Sequence, residues 1–416
     1  MNVYVETYGC TANKSDERLV HGLLKREGHE IVYNLADADV LILLSCTVIE
    51  ATEQRMLSRL KVFKKTQKKI VVSGCMPVVQ AELIKSIVPN VYLLPPQYIQ
   101  YINDVIKNNK PVHLESKKTI LSKYYETAIA PVMIAEGCQL SCSYCITRFA
   151  RGVLRSYSIQ DIRTDIRSAI KQGCKEIQLT AQDTASYGFD IGTNLGKLLM
   201  NLCKIDGSYR IRVGMMNPLT VQKNLESIIN AFQQNKIYKF LHLPVQSGDD
   251  TILKAMNRGY TALEFIKIVE QFRKKISTLT LSTDIIVGFP TETEEQFYRT
   301  VELLKQIKPD IINITKFSAR ILTAAKSMKG RIPTHEVKER SKWATEICSK
   351  ISYKKNKEHL NKIYTVLLTE KGKRNTYKGR TENYKQVVLT EPVTIGDFVR
   401  VKIIDAAPTY LVGKLI

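Results

Sequence analysis

Three cysteines within eight residues constrain this chain more than any other feature. Cys138, Cys142 and Cys145 follow the strand-like run 131–135 in a CxxxCxxC spacing. Three thiolates so placed hold three irons of a 4Fe-4S cluster and leave the fourth iron open to an outside ligand. A zinc site would need a fourth protein ligand close in sequence. The six histidines, at 21, 29, 113, 242, 335 and 359, do not supply one. The loop lies at the carboxyl end of a strand, the face on which β/α barrels carry their active sites.

A second set is dispersed. Cys10, Cys46 and Cys75 each stand just past a strand-like run, 3–7, 40–44 and 69–73. Parallel strands bring their carboxyl ends to one edge, where open α/β sheets bind ligands. Gly9 and Gly74 precede two of these cysteines and permit tight turns beside a bulky group. A second open-sited 4Fe-4S cluster is the reading. Cys174, Cys203 and Cys348 lack such partners and read as core filler. With no export signal over Met1–Cys10 and no apolar run long enough to span a bilayer, a reducing, cytoplasmic setting without membrane contact is expected.

The pattern divides the chain in three. Residues 1–120 alternate short strands with helices at 15–27 and 52–66, predicting an open parallel sheet. Residues 109–128 are lysine-rich and read as a linker. Across 128–355, strand-like runs at 131–135, 175–180, 209–214, 239–245, 280–287 and 310–317 alternate with helical patterns (159–172, 219–234, 262–275), predicting a partial (β/α)6, TIM-like barrel. A charged helix is expected near 334–360. Residues 356–416 switch to short strands (364–368, 386–389, 398–404, 409–416) punctuated by Gly379, Asn383, Gly396 and Pro408, predicting a small all-β barrel of RNA-binding size.

The net charge of +22 favours a polyanionic partner, nucleic acid above all. Arg148, Arg151 and Arg155, beyond the cluster loop, are candidate phosphate contacts. In the last domain Lys371, Lys373, Arg374, Lys378, Arg380 and Lys385 interleave with Tyr377 and Tyr384, a mixture of cations and stacking rings that suits RNA. Gln182 and Asp183, and likewise Gln246 and Ser247, end predicted barrel strands and are candidate cofactor contacts.

The CxxxCxxC loop resembles the radical S-adenosylmethionine (SAM) superfamily. The resemblance places SAM on the open iron, with Tyr144 beside its adenine. With Tyr8-Gly9-Cys10, Ser45-Cys46-Thr47, Gly74-Cys75-Met76, the segments 242–248, 256–260 and 284–293, and a last domain resembling TRAM, the chain is similar throughout to the methylthiotransferases. Segments 150–157, 180–188 and 212–218 resemble the archaeal and eukaryotic branch acting on threonylcarbamoyladenosine. This resemblance implies that one SAM methylates a sulfur at the auxiliary cluster and that a second yields the radical that attacks C2 of the adenine at position 37, beside the anticodon. It also implies tRNA as substrate, an electron donor such as ferredoxin or flavodoxin, and a sulfur source it does not identify. Isopentenyladenosine in tRNA, an aspartate of a small-subunit ribosomal protein, and a non-catalytic iron–sulfur RNA-binding role are the alternatives. One loop departs from the family: its arginine-proline-glycine-threonine-proline reads Arg320-Ile321-Leu322-Thr323-Ala324 here.

Overall fold

The computed structural model describes residues 1–107, 118 and 121–416. The first unit is a sheet of five parallel strands, β1 (Asn2–Thr7), β2 (Glu30–Val32), β3 (Val40–Ser45), β4 (Lys69–Gly74) and β5 (Tyr92–Leu94), in the order β2-β1-β3-β4-β5. All six residues of β3 are buried, because helices cover both faces. Alternation divides them. Val40, Ile42 and Leu44 pack with Leu19 and Leu23 of helix Thr11–Arg26. Leu41 and Leu43 pack with Met56, Leu60 and Phe63 of helix Glu50–Lys65. Edge strands β2 and β5 have three residues each, too few to show a period in the sequence.

The second unit begins with β6 (Ile129–Met133). A short hairpin, β7 (Ala135–Glu136) with β8 (Arg155–Ser156), encloses the cysteine loop. Strands β9 (Glu176–Thr180), β10 (Arg210–Val213), β11 (Phe240–His242), β12 (Thr280–Val287) and β13 (Ile311–Lys316) follow. They form two parallel triplets, β6-β9-β10 and β11-β12-β13. A bridge from Ile211 to Ile237 joins the triplets into one partial barrel. Ile177, Leu179, Ile211, Val213, Leu241, Leu281 and Ile285 face outward into the core beneath the helices. Capping boxes at Thr261/Glu264 and Thr293/Gln296 start helices Ala262–Lys275 and Glu294–Ile307. The single helix predicted over 219–234 is two, Pro218–Gln222 and Leu225–Phe232.

Most of the predicted linker 109–128 lies outside the described residues. Its described part is packed against the fold: Lys118 and Lys123 are buried, and Lys123 pairs with Asp165.

The charged helix spans Thr334–Lys357. A closed barrel follows, ordered β14-β15-β16-β18-β17, from β14 (Ile363–Lys371), β15 (Tyr377–Arg380), β16 (Gln386–Leu389), β17 (Phe398–Ala406) and β18 (Leu411–Leu415). The sequence pattern missed β15, whose Gly379 reads as a turn. Gly379 is there for space: a Cβ would come within 2.4 Å of Val366 Cγ1.

The small barrel docks beneath the large one. The 381–385 loop presents Tyr384 to the amino-terminal mouth of the (β/α) strands. Its ring packs edge-on against Tyr238 and at a tilt against Phe240, with centroids 4.7 and 4.8 Å away, and its hydroxyl donates to Glu176 Oε1 at 2.9 Å. Lys385 pairs with Asp310 at 2.8 Å beside it. Tyr384→Phe keeps the ring and removes a buried bond to a carboxylate. It should cost about 1.5–3 kcal/mol of unfolding free energy in a denaturant titration; no loss would mean that the hydroxyl is already served by water.

Candidate active site

Strands β1, β3 and β4 are neighbours, and Cys10, Cys46 and Cys75 follow them at one sheet edge. Gly9 (φ +109°) lies so close that a Cβ would stand 2.7 Å from Cys46 Cβ and 3.1 Å from its Sγ. Gly74 (φ +88°) lets Cys75 donate its amide to Ser45 O at 2.9 Å, where a Cβ would meet that oxygen at 2.4 Å. Cys46 and Cys75 are buried, while Cys10 is exposed. Burial pushes the Cys46 thiol up to about 11.

The CxxxCxxC loop is pinned on all sides. At Gly137 (φ +81°) a Cβ would lie 1.9 Å from Val153 O. Cys138 N donates to Gly152 O (3.1 Å), Ser143 N to Met256 O (3.0 Å), and Ala325 N to Ser143 O (2.8 Å). Burial raises the Cys138 thiol to about 12, only partly offset by the Leu140 amide. Buried Arg258 stands 3.3 Å from both Cys142 Sγ and Tyr144 Oη. Such thiols ionise when a metal takes the place of the proton. Among the described residues, no three His, Cys, Asp or Glu crowd closely enough to hold a single metal ion. Three thiolates on one loop suit a cluster, in which each thiolate holds its own iron.

The two cysteine-bearing segments touch. Helices Met76–Val79 and Thr147–Arg151 meet through Cys75, Val79, Ile146 and Ala150, with Ile321 against them. A cavity of about 260 Å³ lies here, lined by Ile49, Tyr144, Cys145, Gln246, Asp284 and Asn313 among others. It shares Ile49, Lys316, Phe317 and Arg320 with an adjoining cleft of about 960 Å³ between the first unit and the end of β13.

Several expected contacts are corrected by burial. Arg151 does not reach RNA: it is 2% exposed, bound to Glu136 at 2.7 Å, Asp16 at 2.9 Å and Asn13 Oδ1 at 2.6 Å. Lys118 bonds the same two carboxylates at 3.0 and 3.1 Å. Burial alone would raise the Glu136 carboxyl, but these cations outweigh it and hold it at about 2. Tyr384 and Lys385 are interdomain pegs, not RNA contacts. Asp183 is buried and fully used: Oδ1 accepts from Ala185 N and Asn217 N, and Oδ2 from Thr220 Oγ1. Ser247 is buried against Thr300. Gln182 accepts from Gly137 N at 2.6 Å and so braces the cysteine loop. Gln246 and Tyr144 do line the cavity. Gln246 holds a left-handed φ of +74°, clamped by Asp284 O at 2.8 Å and Ile286 N at 2.9 Å; strained residues of this kind concentrate at functional sites.

Arg148, Arg155, Lys371, Lys373 and Arg374 are exposed. Tyr377 is half-buried against the small barrel's core, Lys378 pairs with Glu370 at 3.5 Å, and Arg380 stacks on Tyr384.

In the departing loop Arg320 pairs with Glu53, tying the loop to the first unit. Leu322, where the family pattern has glycine, carries φ +64° and is 60% exposed. A left-handed non-glycine residue costs about 1–2 kcal/mol, and glycine loses about 0.5–1 kcal/mol more chain entropy on folding. Leu322→Gly should therefore stabilise by about 0.5–1 kcal/mol, visible as a raised melting temperature; a lowered one would mean that the leucine side chain packs.

The sequence reading overlooked a polar ladder inside the barrel. Gln178, Arg212, His242, Asp284 and Asn313 occupy the faces of their strands opposite the apolar core. A closed TIM barrel fills that space with branched apolar residues. The signal was the polar alternation in Arg210–Val213 and around Asp284 and Asn313.

Family models match along the chain: the radical SAM superfamily over residues 132–304, uncharacterized protein family UPF0004 over 2–94, and the TRAM domain over 357–416. A "probable threonylcarbamoyladenosine tRNA methylthiotransferase" of Pyrococcus abyssi is 43% identical over all of this chain and 99% of its own length. The threonylcarbamoyladenosine tRNA methylthiotransferase of Drosophila melanogaster is 33% identical, covering all of this chain and 77% of its own length, and the Homo sapiens protein of that name is 31% identical, covering 99% and 73%. Among solved structures, a radical SAM methyltransferase from Kitasatospora setae superposes with a TM-score of 0.59 at 11% identity, covering 78% of this chain and 76% of its own. A cobalamin-dependent SAM radical enzyme gives 0.52 at 11%, covering 83% and 56%. At those identities the two structures speak for the fold.

Proposed function

The chain belongs to the threonylcarbamoyladenosine tRNA methylthiotransferase family, and we propose that its six strand-end cysteines serve that activity as two opposed 4Fe-4S sites on one cavity. The chain is a radical SAM enzyme that adds a methylthio group to threonylcarbamoyladenosine in tRNA. Its cofactors are SAM and 4Fe-4S clusters. When bound, they supply the adenosyl radical, the sulfur and its methyl group. Cys138, Cys142 and Cys145 would hold the SAM-binding cluster, and Cys10, Cys46 and Cys75 the auxiliary one. The observation that carries this assignment is the contact between the two loops, Cys75 and Val79 against Ile146 and Ala150.

The protein's own groups position and shield. Tyr144 and Gln246 line the cavity, and Arg258 holds the Tyr144 hydroxyl from behind. The target base leaves its stack to enter, which an anticodon loop makes easier. Arg148, Arg155 and the Lys371–Arg374 turn offer cations to the phosphates, with position 37 at the cavity. The polar wall of Asp284 and Asn313 suits a threonylcarbamoyl arm better than an apolar isopentenyl one. The domains run 1–120, 128–355 and 356–416. No helix among the described residues is long and apolar enough to cross a membrane. We assign the protein to the cytoplasm, with a ferredoxin or flavodoxin as electron donor.

The test is anaerobic reconstitution with iron and sulfide, followed by reductant, SAM and tRNA carrying threonylcarbamoyladenosine. Nucleoside mass spectrometry should show the methylthio mass increase. Formation of 5′-deoxyadenosine without that product would move the substrate to isopentenyladenosine or the ribosomal protein.

A further inference from the structure

A polar ladder descends from the cavity toward the barrel floor. Asn313 and Asp284 stand in the cavity wall, with Asn313 Nδ2 donating to Asp284 Oδ1 at 2.7 Å. Below them, His242 Nε2 contacts both Asp284 oxygens at 3.0 and 3.1 Å. Burial works against the Asp284 carboxylate, yet the His242 and Asn313 bonds outweigh it and hold its pKa below the ordinary value. The carboxylate therefore accepts the Nε2 proton, leaving Nδ1 as the free nitrogen. Lower still, Arg212 lies over the rings of Phe240 and Tyr384 at 5.4 and 5.8 Å.

Two nitrogens on this ladder, His242 Nδ1 and Arg212 Nε, are shut off from solvent without a hydrogen-bond partner among the described residues. Arg212 has no carboxylate paired with it there. Buried polar groups are nearly always satisfied, and an orphaned pair asks for a missing partner. A guanidinium with a free edge selects a carboxylate.

We propose that Arg212, with His242 and Asp284, forms the pocket for the carboxylate-bearing arm of the substrate adenosine. The assignment rests on the threonylcarbamoyladenosine reading. Arg212 takes the terminal carboxylate, His242 Nδ1 the arm's hydroxyl, and the Asp284 carboxylate a urea N–H. The methionine end of SAM offers the same carboxylate chemistry, so the experiment must tell the two apart.

The probes are an anticodon stem-loop carrying threonylcarbamoyladenosine and the same RNA with its carboxylate converted to a carboxamide. Binding is read by fluorescence anisotropy and turnover by mass spectrometry. The parent chain should favour the carboxylate RNA by about 10–100-fold in kcat/KM. Arg212→Gln should bring that ratio near one, and Arg212→Lys should restore part of it. A Gln variant that keeps the preference overturns the proposal, whatever its absolute rate. A tenfold loss of SAM affinity with the ratio unmoved assigns the cation to SAM and also overturns it. A parent chain that modifies neither RNA refutes the substrate reading itself, and the anisotropy ratio still reports on the pocket.

Discussion

Cys145→Ala protein, reconstituted with iron and sulfide, should form no 5′-deoxyadenosine and no methylthio product, at least about a thousandfold below the parent chain. The residue is the last thiol of a loop fixed by Gly137, Ser143 and Asn257, so no other cysteine can swing in to replace it. Cys46→Ala should behave differently. It removes a thiol from the proposed auxiliary set and should abolish the methylthio product while 5′-deoxyadenosine still forms. Each variant should retain about half the parent's iron, because each set of three holds its own cluster. Iron analysis and the two product assays together check the division of labour. A Cys46→Ala enzyme that still makes product, or a Cys145→Ala enzyme with full iron, would refute it.

Arg151→Met should be the most destabilising single change outside the apolar core. The guanidinium neutralises Asp16 and Glu136 in a region where all three side chains are at most 3% exposed. Removing one partner of a buried ionic network costs about 3–5 kcal/mol, because two buried carboxylates are then left to share the single cation of Lys118. At about 2–4 °C per kcal/mol for a domain of this size, the melting temperature should fall by about 10 °C. Acid should dissolve the same network. The folded Glu136 pKa lies at about 2, below its ordinary value. Its stabilisation is therefore complete above the ordinary carboxylate range and is lost as pH falls toward 2. An unchanged melting temperature with weakened RNA binding would return Arg151 to the phosphate-contact role that its position in the sequence suggested.

The cysteine geometry was legible because strand-end position in a parallel sheet is a one-dimensional fact. Cys10, Cys46 and Cys75 follow apolar runs, and runs of that kind in a doubly covered sheet leave no choice of direction. The fates of Arg151, Tyr384 and Lys385 were not legible. Each is a polar residue in a basic stretch, and only the packed domains reveal Glu136, Glu176 and Asp310 waiting for them. Asp183 and Ser247 misled for a related reason: a polar residue at a strand end serves loop backbone as readily as a ligand. Arg212 and Asp284 open segments that carry the family resemblance, which does not say which face of the strand they occupy. Counting alternation along β10 and β12 would have placed both inside the barrel. Leu322 shows the converse, since the loop keeps the left-handed turn that the family pattern builds with glycine.

A carbon radical made at the upper rim of a half-open barrel is quenched by any dioxygen that drifts up the barrel's axis. Tyr384, wedged between Tyr238 and Phe240, corks that axis from below. The cork belongs to the small barrel that also carries the exposed Lys371, Lys373 and Arg374, the cations of the proposed RNA grip. On that proposal, gripping the substrate and keeping dioxygen out are tasks of one domain, and loosening that domain would be felt first as wasted SAM and oxidised iron.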